Sequence, residues 1–156
     1  MKKLIKWIVI GTNGLNHLGS LFDLLARFYL ARVFWQSGLL KVSSWTATVA
    51  LFTNVYHVSL LSPWMAAALG ASIELGGSAL LLLGLGGRIA AAALFGLNIV
   101  SVISYPEISD LGLKDHFYWG VLLLFFVLHG MGKLSVDHWV RRRYIRDFVQ
   151  PKKIRD

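Results

Sequence analysis

The 156-residue chain contains no cysteine. Disulfides, thiol redox chemistry and protein-ligated iron–sulfur clusters are therefore excluded. Charge is scarce: Asp, Glu, Lys and Arg make up 15% of the residues against 56% hydrophobic, and acid is scarcer still, with 8 acidic residues facing 16 basic ones. A soluble domain of mean hydropathy +0.60 would be unusual, because soluble folds carry more charge and do not gather apolar residues into long runs. One compact membrane domain is the economical reading. No serine or cysteine nucleophile stands beside a base, and no set of three or four ligands has zinc spacing. A haem held by two histidines needs facing ligands at mid-membrane depth. Only His129 is placed for that, since His17, His57, His116 and His138 fall in expected loops or tails. The net charge of +8 does not imply nucleic acid, because the basic residues gather in the tails without an aromatic-basic face. They read as topogenic charge and attraction to anionic lipid headgroups.

What is present is a series of apolar runs. The last, 117–143, opens on Phe117, Tyr118 and Trp119, continues apolar but for His129, breaks at Gly130-x-Gly132 and ends in Arg141, Arg142 and Arg143. Aromatics at one interface and arginines beyond the other are marks of a membrane span. The pattern predicts an all-α membrane protein: a four-transmembrane-helix bundle over 21–143, after an uncleaved interfacial N-terminal segment (1–20) and before a basic cytoplasmic tail (144–156). The spans are expected at 21–40, 63–83, 88–105 and from 117 onward. Ser62 caps the second and Pro63 opens it. Gly84-Leu85-Gly86-Gly87 ends that helix in a tight turn, not a phosphate loop, because no strand precedes it. Residues 42–62 are amphipathic at best and are expected at the interface between helices 1 and 2, as a short lid or re-entrant helix. Four crossings place both termini on one side. Twelve lysines and arginines then lie inside and only Lys41 and Lys114 outside, which orients both termini to the cytoplasm.

Each expected span carries a strong polar group near its middle. With a rise of about 1.5 Å per residue, Arg32 lies roughly 13 Å from the outer helix end, Glu74 roughly 16 Å and His129 roughly 18 Å, while Asn98 is roughly 15 Å from the inner end. Gln36 shares a face with Arg32. Such residues are rare in spans and usually face the bundle interior. Two readings stand. One is an Arg32–Glu74 ion pair that sets helix register, with Asn98 and His129 completing its hydrogen bonds. The other is a polar pocket for a small ligand or a proton path, lined by Arg32, Gln36, Glu74, Asn98 and His129. At the inner face, Asp23 with Arg27, and Arg88, Ser135 and Asp137, read as a structural charge cluster in which Asp137 meets Arg88 or Arg27.

The run Gly130-Met131-Gly132-Lys133-Leu134-Ser135-Val136-Asp137 resembles the G-x-G-x-x-S-x-D ending of the fourth helix in the DoxX family of small bacterial four-span membrane proteins. Met131 stands where proline is usual. Arg27 with Phe34, Gly38 and Lys41, and Glu74-x-x-Gly77 followed by Leu80 to Gly84, are similar to that family's first- and second-helix landmarks. The resemblance implies a bacterial cytoplasmic (inner) membrane protein. Its implied role is an accessory or quinone-interacting subunit of a redox or stress-response system, since some relatives are subunits of thiosulfate:quinone oxidoreductase. It implies quinone as a possible ligand, and no haem, iron–sulfur or zinc site is expected. Alternatives are a non-catalytic membrane scaffold for a soluble enzyme, using the tail, or a small anion transporter. Beyond the lipid bilayer, a protein partner or a homo-oligomer is expected. No self-contained catalytic centre is visible, and cysteine for sulfur transfer is missing.

Overall fold

A computed structural model describes the backbone of residues 2–56, 58 and 60–145 and the side chains from residue 18 to 144 within that set. Among the described residues the fold is all helical: α1 (Lys2–Ser43), α2 (Trp45–Asn54), α3 (Pro63–Leu83), α4 (Gly87–Ser104), α5 (Asp110–His129) and a short α6 (Val136–Val140) followed by a π-helical turn, Arg141–Ile145. The remainder of the expected basic tail lies outside the described residues.

Among the described residues three helices, not four, are long and apolar enough to cross a membrane: α3, α4 and α5. The expected four-span bundle is corrected on this point. The first helix fails because Asp23, Arg27, Arg32 and Lys41 fall within one span length, each central charge costing roughly 2.5–3.5 kcal/mol on an insertion scale. The placement of both termini on one side depended on four crossings and goes with them. The N-terminal segment is helical and continuous with the first expected helix, so α1 is 42 residues long, about 63 Å at 1.5 Å per residue.

Lipid tails are as apolar as leucine, so van der Waals packing and polar contacts must join these helices. α1 packs along α3, α3 along α4, and α4 along α5. The core is Leu30, Phe34, Leu81, Leu94, Leu123 and Phe126 with Ala26 and Ala91. Small residues set the spacing. A Cβ on Gly77 would stand 2.9 Å from Leu94 Cγ, and one on Gly38 would stand 2.8 Å from Leu75 Cγ and 3.1 Å from Glu74 Cβ. Gly38 thus lets α1 reach α3 at the level of Glu74. The outer faces of the spans remain apolar, with Ile89, Ile103, Phe117, Val121 and Leu128 exposed, as lipid contact requires.

The expected interfacial segment contains α2. Its buried Thr48 donates to Lys41 O at 2.9 Å and so folds α2 back over the end of α1, while Trp45 packs edge-on against Trp64 of α3 at 6.0 Å.

Candidate functional site

A cavity of about 630 Å³ opens at the α2 end of the bundle, lined by α1, α2, α3, α4 and α5. Its walls are mainly apolar, with a few polar groups converging on it, the usual character of a small-molecule site. Glu74 is the most buried charged residue of its lining, only 5% exposed. Its Oε1 accepts from Lys41 Nζ at 2.8 Å and from Ser37 Oγ at 3.0 Å, and Lys41 also donates to Ser37 at 2.9 Å. Oε2 is buried and has no hydrogen-bond partner among the described residues. A buried acceptor left unmade costs about 1–3 kcal/mol, more when charged.

Lys41, rather than the expected Arg32, is the cation of this pair. Helical geometry explains it: successive residues turn about 100°, so Arg32, nine positions before Lys41, lies on the opposite face. Arg32 and Gln36 are both exposed. Arg27, Phe34 and Ser37 share the Lys41 side and turn inward. The Gly38-x-x-Lys41 spacing was the available signal. Gly38 brings the helices together, and the lysine one turn later folds back to the carboxylate instead of snorkelling outward.

Asn98 is buried, as expected, but its partner is His116. Asn98 Nδ2 donates to His116 O at 2.9 Å, and His116 Nδ1 lies 2.7 Å from Asn98 Oδ1. His116 also lies edge-on to Trp119, with centroids 5.0 Å apart, and both line the cavity. The expected loop before Phe117 is in fact the first two turns of α5. Ser109 caps this helix by accepting from Gly112 N, and Asp110 stands in its first turn, a start signature readable in the sequence. The earlier start moves His129 about 10 Å to the far end of α5. There it is exposed, stacks on Phe125 at 4.8 Å and lies 4.0 Å from Asp23. His129 is therefore not part of the Glu74 site.

Tyr56, Ser101, Ser104 and Tyr105 complete the polar lining. Tyr56 and Tyr105 meet edge to face at 5.4 Å. Burial, then the neighbouring Tyr105 and Glu74, push the Tyr56 phenol above its ordinary range, so it faces the cavity as a neutral hydroxyl.

The opposite end of the bundle is a clamp. Gly84 ends α3 at φ +65° and Gly86 precedes α4 at φ +57°. The Asp137 carboxylate accepts from Gly86 N at 2.8 Å and Gly87 N at 2.9 Å, while Asp137 N donates to Gly84 O at 2.9 Å. Asp137 thus caps α4, in place of the expected ion pair with Arg88 or Arg27. Fully buried Arg27 donates to Leu82 O and Leu134 O. Ser135 caps α6 and donates to Gly132 O at 2.8 Å. Asp23 is buried against Gly132, and exposed Arg88 donates to His129 O at 3.4 Å. The five residues expected at the inner face are gathered here, joined mainly through backbone groups. No group of three or more His, Cys, Asp or Glu positioned to hold a metal occurs among the described residues.

A family model described as DoxX matches residues 22–105, more than half of the chain. The chain belongs to the DoxX family. No curated protein and no solved structure matches it. The match contains Arg27, Gly38, Lys41, Glu74 and Asn98 and ends before α5, so the Gly130–Asp137 clamp and His116 lie beyond it. With three apolar spans, this DoxX protein is a multi-pass membrane protein whose outer faces meet lipid.

Proposed function

We propose that this DoxX protein is a membrane-embedded accessory protein that binds a lipophilic ligand with a polar head, of the quinone–quinol class, in the cavity over Glu74. The observation that carries the reading is Glu74, which lines a large, mainly apolar cavity and whose buried Oε2 has no hydrogen-bond partner among the described residues. An ionised carboxylate only accepts hydrogen bonds, so the missing partner is a donor such as a quinol hydroxyl. Lys41 and Tyr56 stand on the same cavity and supply donors to a quinone carbonyl, while His116, whose Nδ1–H is spent on Asn98, offers only an acceptor there. Both redox forms of one ring would therefore find partners. Electron transfer would be supplied by a partner of the redox or stress-response system that the protein serves. The arginine-rich clamp end, with Arg88, Lys133 and Arg141 to Arg143, supports a cytoplasmic placement of that end in a bacterial inner membrane.

The test is extraction of protein gently purified from its native membrane. Wild type should carry quinone at close to one per chain, and Glu74→Leu should carry far less per folded chain. A wild-type protein that yields no quinone, and whose tryptophan fluorescence is unmoved by added naphthoquinone, would sink the reading.

A further inference from the structure

The cavity over Glu74 has a side opening. Five of its lining residues are exposed: Leu69 on α3 and Ala92, Ala93, Gly96 and Val100 on α4. The lining residues from α1, α2 and α5 are all buried or half-buried. The mouth therefore lies between two membrane spans and faces the hydrocarbon phase, not water. Three of its four α4 residues are alanine or glycine. A Cβ on Gly96 would meet nothing within 4 Å, so close helix packing does not require glycine there. Glu74, more than nine-tenths buried and with one oxygen that has no partner among the described residues, lines the same space. A carboxylate seeking a donor at one end and an open apolar slot at the other describe an amphipathic ligand with one polar head and one hydrocarbon tail.

We infer that the α3–α4 mouth holds the hydrocarbon tail of the ligand whose head meets Glu74, and that the ligand enters sideways from the bilayer through it. This rests on the ligand reading above and adds the tail subsite and the route. Leu69, Ala92, Ala93, Gly96 and Val100 then select for a tail, and Gly96 keeps the slot open.

The experiment compares two probes in detergent-solubilised full-length protein: a naphthoquinone with no tail and the same ring carrying two isoprene units. Gly96→Phe and, separately, Ala93→Phe fill the mouth. Gly76→Phe adds the same ring at an exposed α3 glycine that also has nothing within 4 Å of its Cβ and does not line the cavity. Blocking the mouth should weaken the tailed probe by about tenfold or more, the equivalent of two buried methylene groups. The tailless probe should change by less than about twofold, and Gly76→Phe should change neither. Because the chain has no cysteine, a nitroxide on Gly96→Cys reports the mouth alone. Its mobility should fall with the tailed probe and not with the tailless one. Equal weakening of both probes, or of neither, overturns the tail site while leaving head binding intact. A change of oligomeric state in Gly96→Phe also overturns it, because the face would then be covered by a second copy. If wild type binds neither probe, the ligand reading itself falls and the tail site with it.

Discussion

Glu74 is buried, with Oε1 hydrogen-bonded and Oε2 without a partner among the described residues, and its stability depends on Lys41. Removing one member of a buried pair leaves the other charge uncompensated and costs about 3–5 kcal/mol. Lys41→Met is therefore expected to lower the unfolding midpoint in detergent sharply, and Lys41→Met with Glu74→Gln should recover most of the loss. If the double variant is as unstable as the single one, the lysine matters for packing and not for charge. Asn98 invites a similar test. Asn98→Leu removes both bonds to His116 and leaves its half-buried ring nitrogen unmatched, at about 1–3 kcal/mol, while the His116 carbonyl keeps its helical donor. It should also loosen the first turns of α5, read as faster amide exchange near residue 116. Arg32→Gln, on an exposed face, should change stability by less than about 0.5 kcal/mol. At this scale the sequence indicated which residues are unusual but not their partners. Glu74 and Asn98 stood out because polar groups in apolar runs are rare. Lys41 and His116 did not, because each was assigned to a helix end or loop where charge is ordinary.

The helices of this DoxX protein are joined at one end by a glycine turn held by Asp137. Two backbone N–H groups donate to one carboxylate there, and a side-chain cap of this kind is worth about 1–2 kcal/mol. Asp137→Ala should lose about that much stability, and Asp137→Asn, which keeps one acceptor oxygen, about half. Gly84→Ala should be worse. It adds left-handed backbone strain of about 1 kcal/mol, and its Cβ would meet Arg27 Nη1 and Ser135. The two are distinguished by thermal unfolding of each variant beside the wild type. The motif at Gly130–Asp137 was legible as a bend with a cap. Its target was not, because the link to Gly86 spans 51 positions and no local pattern announces it. At the start of α5 two local signals compete: an aromatic cluster at 117–119 resembles an interface, yet Ser109 and Asp110 begin the helix two turns earlier.

Across the whole molecule, the helix junctions divide the labour. The clamp end is tied by backbone hydrogen bonds around Arg27, and the other end carries a cavity of about 630 Å³ roofed by α2. Phe52 of α2 and Tyr56 just beyond it line that cavity, so α2 is expected to govern access from its side. Phe52→Ala should weaken retention of a bound naphthoquinone by raising its off-rate more than it lowers its on-rate, measured by stopped-flow fluorescence. An unchanged off-rate would leave α2 a passive cover.

Composition and run length alone determined that this is a membrane protein built of helices, because an apolar stretch of about 20 residues has few other stable homes. They determined the second and third spans almost to the residue, because Ser62-Pro63 and the Gly84–Gly87 turn are local signals. The DoxX resemblance was also carried by short ordered motifs. Tertiary structure alone decided that Lys41 and not Arg32 meets Glu74, and that His129 and Glu74 occupy different sites. The reason is angular as much as linear. Depth can be counted in residues, but the face a side chain takes, and what waits there, depends on how neighbouring helices rotate and pack.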